Sequence, residues 1–388
     1  MNKRILYIIF FVFIVAVSFS FFFDDQPRNE HQIFSNVDLI EMISPYPSFS
    51  KMDTVIKSYE NVTTDVIYSF KDIVFTNLIS DFFVNKNSLY LLARGAEHPI
   101  HQLIFDEKNI LQHIEFGERG KGPKEFSLPV YFGIDTGNQN NLLIFDQNNR
   151  RISILSLDEE DSIAVKEQFL TDFDLGSFFL KDDKIYANGD FFDDKTIVIL
   201  EKKVREFRQV DAFRNALFKT KNTKFTPAVL VHLNRSSATV HPDARFLAKG
   251  YLYTPVIQIY NIEGDLLKEY NFDEDFDLNY EIKYDNRENI DRFIRTKNTK
   301  FAYLSLAASS EYIYALFSGR SEASQKENDE AFQYFSGNQI HVLDWSGNII
   351  KKVKLDVNVN RIFFDNHSNR LYGIKLYDDY SLMKFNPF

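Results

Sequence analysis

From Val62 onward the chain alternates short apolar runs with clusters of Asn, Asp, Gly and Lys. Runs of that length between turn residues predict short antiparallel strands, because a strand needs only five or six residues to cross a sheet. The runs assort into six groups. In the first, 89–93 leads to 100–105 and 110–116; in the second, 142–145 leads to 152–157; in the third, 184–187 leads to 196–200 and 204–210. The fourth joins 245–248, 256–260 and 266–272, the fifth 312–317, 339–343 and 349–355, and the sixth 370–373 and 381–385.

Strand groups in fixed order that recur at roughly 40–50 residues, plus insertions, predict an all-β chain folded as a six-bladed β-propeller. The sixth group is a strand short, and 66–75, ahead of the first, supplies one to complete it. Closing the ring with this N-terminal strand removes the open edge a linear array would expose. Two stretches break the pattern. Residues 211–219 and 286–297 mix polar and apolar positions and predict short helices, each followed by the hexapeptide Thr-Lys-Asn-Thr-Lys-Phe at 220–225 and 296–301. Its recurrence fits a repeated turn into the next blade.

Ahead of the strands lies a different pattern. Lys3 and Arg4 precede an uncharged run from Ile5 to Phe23, which Asp24 and Asp25 end. As a helix this run spans about 28 Å, near the hydrocarbon thickness of a bilayer. It predicts an N-terminal hydrophobic helix over 1–23, either a signal peptide that is removed or an uncleaved signal anchor. The small-residue sites at 16–18 and 18–20 are followed by three phenylalanines, so both fates stay open. The expected layout is therefore 1–23 as targeting segment, 24–61 as linker and 62–388 as propeller. Positive charge before the run predicts an exported chain, periplasmic or membrane-anchored, with the propeller outside the cytoplasm. Membrane contact is expected only through this N-terminal segment.

Composition adds to this picture. Phe at 40 and Tyr at 20 in 388 residues favour half-buried pleated surfaces. With 45 Lys+Arg against 55 Asp+Glu the net charge is −10, and no basic block is present, so no nucleic-acid partner is expected. The absence of cysteine removes disulfides, thiolate metal sites and thiol nucleophiles together.

The segment Gly117-Glu118-Arg119-Gly120-Lys121-Gly122-Pro123-Lys124-Glu125-Phe126 runs on through Leu128-Pro129 to Asp135. After it come Leu142 to Asp146 and then Asn148-Asn149-Arg150-Arg151-Ile152. It resembles the NHL-type propeller repeat, with a Gly-Pro-x-x-Phe loop and an Asp-x-x-Asn-x-Arg-Ile hairpin. The whole layout resembles the bacterial six-bladed TolB-like propeller proteins of the cell envelope. That resemblance implies a propeller fold and an envelope location. Members of that family usually carry a lipoprotein cysteine, from which this chain departs. In the segment itself, glycines suit a crossing between blades, and the asparagines suit a tight hairpin. Arg150 or Arg151 can reach a carboxylate between blades.

Catalytic patterns are absent. The pair His98 and His101 is spaced i, i+3, which on a strand faces opposite sides, so no metal is expected there. Asp273, Asp275 and Asp277 lack the Gly and Glu of a calcium loop. Neither a catalytic residue, a metal nor a cofactor is assigned. Four groups instead place a glycine just past their first run, at Gly95, Gly189, Gly250 and Gly319. Equivalent loops of a propeller share one face, which predicts a ligand-binding set of Arg94, His98, Asp190, Lys249, Tyr251, Arg320 and Tyr377. Aromatic plates beside cations suit a glycan, a peptide or a protein ligand. The expected function is a non-catalytic binding propeller, and the alternative is a metal-dependent propeller enzyme of the lactonase or amidating-lyase kind. That alternative requires several Asp, Asn, Glu or His ligands near the axis.

Overall fold

The computed structural model describes residues 31–34, 58–69, 79–106, 109–157, 163–189, 195–214, 216–218, 226–271, 276, 279–286, 290–324, 335–375 and 380–385. The expected N-terminal helix over 1–23 lies outside them. Within them the strands form six consecutive four-stranded blades. Blade 1 joins Ile79–Asn85, Ser88–Ala93, Ile100–Phe105 and Ile110–Phe116. Blade 2 joins Pro129–Asp135, Asn141–Asp146, Arg151–Leu157 and Ile163–Thr171. Blade 3 joins Leu175–Lys181, Lys184–Gly189, Ile197–Lys202 and Glu206–Phe213. Blade 4 joins Ser236–Val240, Phe246–Tyr251, Val256–Asn261 and Leu266–Asn271.

Blade 5 joins Tyr303–Ala308, Tyr312–Phe317, Gly337–Asp344 and Ile349–Val359, with Tyr59–Val62 added in parallel at its outer edge. Blade 6 takes three strands from the end of the chain, Arg361–Asp365, Arg370–Lys375 and Ser381–Phe385. Its fourth is Asp65–Ser69, antiparallel to Ser381–Phe385 with Val66 opposite Met383. The expected closure by an N-terminal strand is thus present.

Ring closure is also visible in the core. The first strand of each blade is the innermost, and the six touch in order, with the first strand of blade 6 meeting that of blade 1. One apolar cluster fills each space between neighbouring blades. Leu92 and Ile144 lie between blades 1 and 2, Phe145 and Leu200 between 2 and 3, and Phe213 and Tyr260 between 3 and 4. Ile259 and Ala315 lie between 4 and 5, Val342 and Phe385 between 5 and 6, and Leu91 and Ile374 between 6 and 1. Six small cores in a ring replace a single large one, so each blade depends on both neighbours.

Blades 2 and 3 sit closest. Their inner strands pair directly in parallel, Gly133 opposite Phe178. A Cβ at Gly133 would lie 2.4 Å from the Phe178 ring, so only glycine permits this approach.

Two insertions rise on the face where one blade crosses to the next. Helix α1, Pro227–Leu233, begins at a proline, whose missing N–H costs nothing in the first helical turn, and buries Val229, Leu230 and Leu233. A hairpin of Tyr280–Asp285 and Ile290–Arg295 carries His31–Phe34 on its free edge. These elements correct the two helices expected from the sequence. Residues 206–213 form the outer strand of blade 3 and 290–295 a hairpin strand. Antiparallel pairing with Tyr280–Asp285, Ile282 opposite Phe293, holds 290–295 extended, and the helix of the earlier insertion begins only after Thr226.

Candidate functional site

The channel through the ring is lined by the inner strands, and six positions in them are equivalent: Asp81, Tyr131, Ser177, Ser237, Ser305 and Arg361. The register shows in a recurring clasp. Oγ of Ser177 accepts the N–H of Ala238 at 3.2 Å, that of Ser237 the N–H of Leu306 at 3.1 Å, and that of Ser305 the N–H of Ile362 at 3.3 Å. Asp81 does the same with a carboxylate, its Oδ2 accepting from Phe132 N–H at 2.9 Å. Each short acceptor satisfies a backbone donor of the next blade, which a parallel neighbour strand would otherwise have to do.

The junction between blades 6 and 1 is charged instead. Arg361 Nη1 donates to Asp81 Oδ1 at 2.9 Å, and its guanidinium lies 5.7 Å from the Tyr131 ring centre. Burial pushes the Asp81 carboxyl up, while Arg361 and backbone N–H groups pull it back down.

At the crossing face the channel widens into a cavity of ≈ 590 Å³. Arg94, Arg235 and Arg361 line it together with Asp174, Asn188 and Asn360. Among the described residues, three arginines thus line one opening of a chain whose net charge is −10, with Asp174 beside them and Asp81 paired to Arg361. The Nε of Arg94 is buried and has no hydrogen-bond partner among the described residues.

Arg235, Leu252 and Phe335 also line a second cavity of ≈ 520 Å³, so the two adjoin. Tyr253, Phe293 and Phe301 wall it, and Arg295 lies over the rings of Phe301 and Phe335 at 5.6 and 5.2 Å. The hairpin supplies Phe293, which stacks on Tyr280 at 5.1 Å, and helix α1 supplies His232, whereas Tyr253 follows the second strand of blade 4 and Phe301 precedes the first strand of blade 5. The opening is thus a polar, cationic well continuous with an aromatic shelf.

Of the expected residues that are described, Arg94 alone is placed on this opening. His98 is half-buried, with Nδ1 2.8 Å from the Gly117 carbonyl, and fastens a loop. Arg320 is half-buried where blade 5 leaves its second strand, its carbonyl accepting from Phe301 N–H at 2.9 Å. Lys249 and Tyr251 are not on the face. Gly250 sits inside Phe246–Tyr251 rather than after it, where a Cβ would meet Leu306 Cδ1 at 2.6 Å. That glycine serves close packing of blade 4 against blade 5, and its neighbours are consequently interior.

Lys249 is 1% exposed, with Nζ 4.6 Å from the Tyr251 ring centre, and burial pushes its ammonium down to about 7. Tyr251 Oη donates to Gln258 at 2.7 Å within a buried polar group that includes Tyr260 and Glu269. Asp190 and Tyr377 lie outside the described residues. Arg235 and Arg361 were not among the expected residues; Arg361 opens the strand Arg361–Asp365, directly ahead of the apolar run Ile362-Phe363-Phe364.

The glycine-rich loop and hairpin are structural. Asp146, fully buried, accepts from Ser127 and Leu128 N–H at 2.8 and 2.9 Å and from Asn149 Nδ2 at 2.7 Å. Arg151 lies 3.9 Å from it and donates to the carbonyls of Gly122 and Glu125. Loop 117–126 is thereby pinned to the hairpin at 146–151.

A ring of six radial sheets with a central well defines a β-propeller. The family model described as TolB-like 6-blade propeller-like matches residues 81–367, and the chain belongs to that family. The crystal structure of a DUF4221 family member from Bacteroides vulgatus superposes with a TM-score of 0.52 at 10% identity, covering 84% of this chain and 96% of that one. The RRP9 WD40 repeats follow at 0.48 and 9%, covering 85% and 100%. The Cps50 (Swd1) propeller domain of Myceliophteria thermophila gives 0.42 and 8%, covering 82% and 99%. At such identities the likeness concerns the fold. No curated protein matches.

Proposed function

We propose that this propeller is a non-catalytic binding protein that takes an elongated anionic ligand, an acidic glycan or a carboxylate-bearing peptide, in the well and along the aromatic shelf. The observation that carries the reading is the meeting of Arg94, Arg235 and Arg361 at the opening of an acidic chain. A guanidinium presents a planar fork of donors to a carboxylate, and a shelf of rings suits sugar faces or apolar side chains. A propeller enzyme using an axial metal would need several ligands there. Among the described residues, Asp81 is already engaged by Arg361 and by Phe132 N–H. Asp135 and Asp365, deeper along the channel, accept backbone N–H groups in their own turns.

The propeller is exposed outside the cytoplasm at the bacterial envelope, held or delivered by residues 1–23. The charge pattern of that segment supports this, and reporter fusions at residue 388 would test it by being active only outside the cytoplasm. The binding reading is tested by screening the purified full chain against acidic and neutral glycans and against peptides with free or amidated carboxyl ends. Retention of acidic members, weakened by added salt, is expected. Retention of neutral members alone would overturn it.

A further inference from the structure

The outer half of blade 1 carries a second cluster of chemistry. Ile100–Phe105 and Ile110–Phe116 pair antiparallel, with His101 opposite Glu115 and Leu103 opposite His113. Directly opposed residues share a face, and so do residues two apart, so His101, His113 and Glu115 form a triangle on one side of the sheet. His101 Nδ1 lies 3.0 Å from His113 Nε2 and 3.7 Å from Glu115 Oε1, and one ligand atom from each residue falls within 4.8 Å of the others. The two imidazoles stack at 5.3 Å with 27° between their planes. His101 is buried, whereas His113 and Glu115 are exposed.

We propose that His101, His113 and Glu115 bind one divalent transition-metal ion of the zinc class. Ligands about 2.0–2.1 Å from a tetrahedral centre stand about 3.3 Å apart, between the two separations seen here. Two imidazole nitrogens and one carboxylate oxygen suit zinc, cobalt or nickel, whereas calcium and magnesium prefer all-oxygen shells. The buried imidazole is a fixed point, and the two exposed side chains close over the ion with small rotations. The fourth vertex faces solvent and takes water. None of the three lines the well, so this site is separate from the proposed binding face. The ion would tie the outermost strand of blade 1 to its neighbour.

The test uses the full chain without a histidine tag, stripped with chelator and titrated with Co²⁺ followed by visible absorption, then with Zn²⁺ followed by calorimetry. The expected result is one equivalent bound, with the intense visible bands of four-coordinate cobalt and a rise in melting temperature on adding Zn²⁺. His113→Gln and Glu115→Gln change exposed side chains, so both variants should melt like the metal-free wild type. Each should weaken binding by at least an order of magnitude and abolish the Zn²⁺-induced rise. If the wild type takes up no ion, or if the double variant binds as well as the wild type, the proposal is overturned, and the two imidazoles are simply hydrogen-bonded to each other.

Discussion

Lys249 shows what a single misplaced residue costs. Its ammonium is buried, with the Tyr251 ring centre 4.6 Å away, and burial holds it at about 7. Between pH 7 and the usual lysine value of 10.5 the unfolded chain keeps a proton that the folded chain has released. The unfolded state then binds more protons, so stability rises with pH across that window. Lys249→Met, which keeps the volume and removes the charge, should raise stability near neutral pH by on the order of 2–4 kcal/mol and flatten that rise. Urea unfolding of both proteins at pH 7 and pH 9.5 reads the difference; equal slopes with pH would refute it. His341 acts at the other end of the scale. Burial, and then Lys352 across the strand, pushes it down to about 3, while Tyr303 Oη lies 3.0 Å from its Nδ1. Below the usual histidine value of 6.5 the unfolded chain takes up a proton that the folded chain refuses. Stability should therefore fall as pH drops from 6.5 towards 3, and fall less in His341→Gln, as acid titration of the melting temperature will show.

Among the elements, the strands least legible in the sequence are the six innermost. The second and third strands of each blade are largely buried on both faces, so Leu89-Tyr90-Leu91-Leu92-Ala93 and Tyr312-Ile313-Tyr314-Ala315-Leu316-Phe317 stand out as apolar runs. An inner strand turns one face to a polar channel, so Ser177, Ser237 and Ser305 interrupt its apolar run. The three serines are clasps between blades, and Asp81 holds Arg361 at the well. Glycine misled for a related reason. Gly95 and Gly319 have φ of 77° and 65° and do end strands, whereas Gly250 lies inside one to admit Leu306. One residue type thus signalled a turn in two blades and a close approach in another. The clasps predict that Ser177→Ala, Ser237→Ala and Ser305→Ala each cost about 0.5–1.5 kcal/mol, measured by chemical unfolding. Because the three lie at different junctions, their effects should add.

At the scale of the molecule, the fold was legible because each blade repeats the same strand order, and the closing strand because the last blade lacked one. The proposed binding face was not, because it is assembled from Arg94 in blade 1, Arg235 before blade 4 and Arg361 in blade 6, which no local pattern connects. Closure makes a direct prediction. Deleting residues 58–69 leaves Ser381–Phe385 as an exposed edge, so the shortened protein should melt lower and self-associate on a sizing column. A monomer with unchanged melting would contradict closure. The claim on which the functional reading rests is that the arginine-lined opening holds the ligand. Its most direct test is titration of an acidic glycan or peptide retained in the screen into the wild type and into an Arg94→Ala, Arg235→Ala double variant with the same melting temperature. Affinity lower by at least an order of magnitude in the variant, together with a weaker dependence on salt, is the predicted result. Equal affinity in the two proteins would mean that the ligand binds elsewhere and that the opening is not the binding site.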